Sequence, residues 1–140
     1  MTTKLEAVKA AATLKTFMGI NQLRYVLVVG CRGEEKQYFF DKLVELASVV
    51  STMPKVYEQD GKGDQAIAYL HYFRGGMDWY ITERDTTDEQ HQAFGVANLG
   101  DGPEAGYISI AEIIGANVEL DFHFKPRSLA EIPAALRRTA

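Results

Sequence analysis

The hydrophobic period of this 140-residue chain changes once, and the change divides what its two halves can fold into. Up to residue 54 apolar side chains recur at helical spacing; from residue 66 they alternate or gather in aromatic and β-branched runs. The strongest helical stretch is 34–53. There Phe39, Leu43, Leu46 and Val50 fall at i, i+4, i+7 and i+11, one stripe widened by Val44, Ala47 and Met53. Glu34 and Glu35 stand where a helix N-terminus favours anions, and Pro54 ends the run. Upstream, 3–18 is alanine-rich, with Leu5, Val8, Ala12, Leu14, Phe17 and Met18 as its apolar positions and Gly19 where a helix C′ residue belongs, so it too reads as a helix. Residues 23–30 are open between a buried strand, which their β-branched content favours, and a short helix capped by Asn21.

Beyond a Gly-rich polar loop at 58–64, the pattern is extended. Residues 66–73 are aromatic and β-prone, Gly75-Gly76 is a turn, and 77–84 alternates, so the pair reads as a hairpin. Met77, Trp79 and Ile81 share one face of its second strand, and Asp78, Tyr80 and Thr82 the other. A third strand is expected at 92–97 with Phe94 and Val96 inward, followed by a Gly/Pro-rich turn at 99–106. Ser109 and Glu112 have capping-box spacing for a short helix ending at Gly115. The cleanest strand is 118–124: Val118, Leu120, Phe122 and Phe124 on one face, Glu119, Asp121 and His123 on the other. Pro126 ends it, and Ser128 with Glu131 repeats the capping pattern. The fold expected is α+β: one domain over 1–140, its helical half at 1–54 and its β-rich half at 66–126. N-terminal helices cover one face of an antiparallel sheet of about four strands, and the other face is polar and wet.

Composition bounds the function. Hydrophobic residues at 46% and charged residues at 24% are an ordinary globular balance, sufficient for a core without staples. The one cysteine, Cys31, permits no intramolecular disulfide. No apolar run is long enough for a signal or a membrane span, so a cytoplasmic protein is expected. The net charge of −4 argues against direct nucleic-acid binding, and its distribution is uneven. Between residues 78 and 121 there are ten carboxylates against Arg84 alone, while the tail turns basic with Lys125, Arg127, Arg137 and Arg138.

Catalytic and metal motifs are missing. Val28-Val29-Gly30-Cys31-Arg32-Gly33-Glu34 lacks the Lys-Ser/Thr of a P-loop and the third glycine of a dinucleotide fingerprint, and Glu34 and Glu35 sit where phosphate would. His71, His91 and His123 show no helix-borne ligand spacing, though separate strands can converge; no metal or cofactor is expected. No nucleophile has an adjacent base. The rows along the two strands therefore suggest a binding surface made of Asp78, Tyr80, Glu83, Glu119, Asp121 and His123, in which Tyr80 is open between an exposed aromatic anchor and a residue packed on the neighbouring strand.

One ordered series carries a family resemblance: Leu70-His71-Tyr72-Phe73, Asp78-Trp79-Tyr80-Ile81-Thr82-Glu83, Phe94-Gly95, Gly106-Tyr107-Ile108-Ser109 with Glu112, Glu119-Leu120-Asp121, and Phe124-Lys125-Pro126. Over residues 66–132 the chain resembles an uncharacterised bacterial family of small accessory proteins carried on plasmids, integrative elements and phages. The resemblance transfers no activity and no catalytic residue. It implies company: a non-enzymatic binding protein that inhibits a host defence, anti-CRISPR or anti-restriction, by docking an acidic surface on a nuclease or a CRISPR surveillance subunit. Two other classes stay open. One is a small metal-assisted hydrolase using Asp78, Asp121, His123 and His71; the other is a plasmid-encoded DNA-binding regulator acting through the basic tail. The partner's identity is not legible in the sequence, and a homo-oligomer stays open.

Overall fold

The computed structural model describes residues 1–136. A helical layer is built from α1 (Lys4–Thr13), α2 (Ile20–Val28) and α3 (Lys36–Thr52). Thr3 opens α1 with a reciprocal capping box: its hydroxyl accepts from the Glu6 amide and its own amide donates to the Glu6 carboxylate. The helix then tightens into a 3₁₀ turn, Leu14–Thr16. Its buried stripe is Ala7, Ala10, Ala11 and Leu14, which lets α1 pack closely on α3, whereas the expected positions Leu5, Val8 and Ala12 face out. Gly19 is not a C′ residue but the extended N-cap of α2. The open stretch 23–30 falls largely within that helix, because Leu23 and Val26 lie on one face at helical spacing and are buried. In α3 the buried stripe is Phe40, Leu43, Leu46 and Val50. Past Pro54, the Arg84 guanidinium donates to the Val50 carbonyl at 2.8 Å, closing the end of α3.

The sheet has the antiparallel order β5-β4-β3-β2-β6. Its strands are β2 (Leu70–Arg74), β3 (Met77–Glu83), β4 (Ala93–Asn98), β5 (Pro103–Ile108) and β6 (Glu119–Leu120); β1 (Ile67–Ala68) pairs instead with β7 (Arg127–Ser128). The hairpin β2–β3 turns at Gly75-Gly76 as expected, with Gly75 at φ +56°. Strand β5 occupies the Gly/Pro-rich stretch read as a turn; the turn proper is only its first half, where Gly100 and Gly102 adopt positive φ. Ser109 caps α4 (Ile110–Gly115), and Asn117, not Gly115, takes the left-handed position that ends it.

Two corrections change the site. The segment 118–124 is not one strand. Pairing stops at Leu120 because the Asp121 carboxylate captures the His123 amide at 3.0 Å, a side-chain turn that reverses the chain. Val118, Leu120 and Phe122 therefore join the core under the helices, while Phe124 crosses to the opposite side. That opposite face is not wet. Residues 124–136 cross it, and Phe124, Leu129, Ile132 and Ala135 bury Tyr80 and Val96 beneath them. Val96 is inward as expected, but toward this second cluster, and Phe94 beside it is half-buried against Tyr107. The sheet is covered on both faces because the C-terminal segment supplies apolar side chains to the face that the helices leave free.

At the bulge between Ile81 and Glu83, β3 and β4 approach so closely that a Cβ on Gly95 would collide with the Tyr80 carbonyl oxygen and stand 2.9 Å from its carbonyl carbon. No helix among the described residues is long and apolar enough to cross a membrane.

Candidate functional site

Strand alternation places His71 on the C-terminal-segment side of β2, with Leu70 and Tyr72 turned to the helices. Its ring stacks on Tyr80 directly across the hairpin, centroids 4.6 Å apart and planes 8° from parallel, with Phe124 tilted above both. Both ring nitrogens meet carboxylates: Nε2 stands 2.7 Å from Asp78 Oδ1 and Nδ1 2.9 Å from Asp121 Oδ2. An imidazolium donates to both, while a neutral ring serves one and turns a lone pair toward the other. Neither nitrogen is left to face a substrate, and the histidine side chain is only 14% exposed.

Asp78 and Asp121 are thus brought together although their strands are not adjacent: β2 lies between β3 and β6, and its His71 joins the two carboxylates. Tyr80 is 6% exposed and its hydroxyl is pushed above the ordinary range, first by burial and then by the Asp78 charge. It is a packing residue rather than an exposed anchor. His123 stands apart on the surface, 2.5 Å from the Tyr38 hydroxyl, and Glu119 is exposed on the edge strand β6. The three histidines do not converge, since His91 leans on Ser109 at 3.4 Å. Among the described residues no group of three or more His, Cys, Asp or Glu side chains is placed to hold a metal ion. Arg137 and Arg138 of the basic tail lie outside the described residues.

Glu83, at the other end of β3, is 4% exposed. Its oxygens accept the backbone amides of Tyr57 at 3.0 Å and Gln59 at 2.6 Å, tying loop 55–60 to the sheet. Gln59, itself buried, continues the tie by bonding Ile67 and Thr82 through three side-chain hydrogen bonds. This loop walls a cleft of about 470 Å³ against β3, β4 and the C-terminal segment, with Phe94, Val96 and Leu129 contributing apolar lining. The charged side chains lining it are Asp60, Asp64 and Glu83, all carboxylates. Sequence reasoning found Glu83 but not its amides, and missed Gln59, Asp60 and Asp64. The available signal was the loop's glycines: Gly61 and Gly63 adopt φ +80° and +53°, conformations that shape a wall rather than a loose connection.

The carboxylate excess between residues 78 and 121 is not one face. Glu83 and Asp85 are buried, and Asp78 and Asp121 are half-buried on His71. The exposed members are scattered: Asp88 and Glu89 in the β3–β4 connection, Asp101 and Glu104 at the opposite end of β4, Glu112 on α4 and Glu119 on the edge strand β6.

Asp85 gathers the β3–β4 connection. Its carboxylate accepts from the Thr87 hydroxyl at 2.9 Å and from the amides of Thr87, His91 and Gln92. Burial alone would raise this carboxyl; the hydrogen bonds outweigh it and hold it below the usual range. A depressed carboxyl contributes stability above the unfolded-chain value, about 4, and loses it as pH falls through the lower folded value. Asp85→Asn is therefore expected to lower the melting temperature at pH 7 and to flatten the fall in melting temperature between pH 5 and pH 3, as read by thermal unfolding monitored by circular dichroism. A pH dependence as steep as wild type removes Asp85 from the acid response.

Comparison with protein-family models, with curated proteins and with solved structures finds no match.

Proposed function

We propose that this chain is a non-enzymatic binding protein of a mobile genetic element, which acts in the cytoplasm and inhibits a host nucleic-acid-directed defence enzyme. The observation that carries the reading is the acidic cleft beside β4, lined by apolar side chains, with carboxylates as its charged lining and Asp60 and Asp64 exposed. A basic side chain that contacts nucleic-acid phosphate in the host enzyme has complementary charge for such a cleft, and occupying it blocks that contact. The side chains best suited to acid–base chemistry support the same reading, because they are committed to the fold: His71 to two carboxylates, Glu83 and Asp85 to backbone amides. The family resemblance supplies the partner class, a restriction nuclease or a CRISPR surveillance subunit.

The test is capture of partners by the tagged protein from a host carrying both systems, alongside transfer of plasmid DNA into that host. Wild type is expected to retain a nuclease or surveillance subunit at low salt, lose it at high salt, and protect the incoming plasmid. The variant Asp60→Asn/Asp64→Asn is expected to fold normally and capture at least tenfold less. Capture of neither class together with no protection overturns the reading; equal capture by the variant overturns the cleft as its surface.

A further inference from the structure

The segment that holds α1 and α2 is opposite in charge to the rest of the chain. Residues 1–32 carry five basic side chains (Lys4, Lys9, Lys15, Arg24 and Arg32) against Glu6, net +4 in a chain whose total is −4, which leaves −8 for the remainder. Glu6 is turned to the Thr3 cap. On this basic surface α1, which packs on α3, and α2 line an unfilled seam from either side. Two adjoining depressions, about 380 and 200 Å³, run along it and share Val8, Leu27 and Val28. The wider one is lined almost entirely by apolar side chains from the i, i+3, i+4 rows of both helices, with Ala11 and Ala12 keeping the seam open on the α1 side. Val8 is 50% exposed, Val28 49% and Ile20 61%, an apolar stripe that no described element covers. The charged side chains lining the two depressions are Lys4, Lys15, Arg24 and Arg32, so cations stand at both ends and no described carboxylate interrupts.

We infer that this trough is a docking site for an acidic amphipathic helix of a partner protein, laid in the seam between α1 and α2. The dimensions and charge agree. From Lys4 to Lys15 the trough extends about 16 Å at helical rise, the span of three turns of a partner helix. The apolar floor takes anchors at i, i+3, i+4 and i+7, and the terminal cations pair with flanking carboxylates. A second copy docked symmetrically would set the same cations face to face, so like charge disfavours it. A lipid surface is the weaker fit because the apolar groups form a seam between helices, and the exposed large residues around it include no Trp or Phe to enter a bilayer. The inference is independent of the acidic cleft, which lies across the sheet.

The probe is a fluorescein-labelled helical peptide of about 15 residues with Leu at the anchor positions and Glu elsewhere, beside a counterpart with every Glu replaced by Lys. Fluorescence anisotropy with the full chain is expected to show the Glu peptide binding at least tenfold tighter than the Lys peptide and weakening with salt. Lys15→Glu/Arg24→Glu is expected to invert that preference, and Val8→Asp to weaken both peptides; all three positions are exposed, so circular dichroism should show native melting. Failure of the Glu peptide to bind, or no preference between the two, overturns the inference. So does retention on phosphatidylglycerol vesicles without peptide binding, which would make the trough a membrane surface.

Discussion

Gly95→Ala is expected to destabilise the protein by about 3 kcal/mol, a large share of the total for a domain of this size. The methyl group would be driven into the Tyr80 carbonyl, which is backbone on the neighbouring strand and cannot swing aside as a side chain would. To admit it, β3 and β4 must separate at Ile81↔Gly95, next to the bulge, breaking the ladder at the centre of the sheet. Gly106 is the internal control. It pairs with Gly95 from the edge strand β5, and a Cβ there meets nothing. Gly106→Ala is expected to change stability by less than about 0.5 kcal/mol. Urea unfolding followed by tryptophan fluorescence measures both, Trp79 lying in β3. Equal midpoints for the two variants would mean that the strands have slack to spread.

Glu83→Ala is the second large effect, about 3 kcal/mol, because it strands two amides in a buried setting. The Tyr57 and Gln59 amides lose the acceptor that both share. Loop 55–60 should detach locally before the sheet unfolds, since its remaining holds are the Gln59 side chain, the pairing of Val56 with Arg84 and an exposed hydrogen bond between the Tyr57 and Tyr107 hydroxyls. Native-state hydrogen exchange is the direct readout: Tyr57 and Gln59 amides are expected to lose most of their protection while amides of β2 keep theirs. Glu83→Gln retains one acceptor oxygen and should fall between. Wild-type exchange at both amides in Glu83→Ala would show that the loop is held by other contacts.

How far the candidate site could be read from the sequence depends on what each residue's role required. Asp78 and Asp121 were legible as members of two rows on one side of their segments, because alternation is a local rule. Their link through His71 was not, since it needed the register of β2 against both β3 and β6. Tyr80, open between anchor and packing residue, could not be decided for a different reason. Its strand position was read correctly, on the face away from Trp79 and Ile81, but that face carries a second core. Glu83 was legible only as a charge, and the amides that employ it come from a loop 24–26 residues earlier. In the helical half, the apolar positions read along α1 do not say that Ala7, Ala10 and Ala11 form its contact face. In the fold they are the contact, and Leu5 and Val8 are left outside, because a close helix crossing selects small side chains over apolar ones.

The sequence by itself determined whatever depends on a few consecutive residues: the helical and alternating periods, the Thr3 and Ser109 caps, the Gly75-Gly76 turn, and hence an antiparallel α+β protein. Only the tertiary structure decided which faces meet water. Alternation states that a strand's two faces differ; it does not state what lies over either one. The cover for the second face comes from residues 124–136, two short 3₁₀ turns and a two-residue strand with no period to announce them. The Asp121 turn that launches that segment depends on a side chain outcompeting the ladder for one amide. Such competitions are decided by free-energy differences of about 1 kcal/mol, which packing against the sheet supplies and local propensity does not.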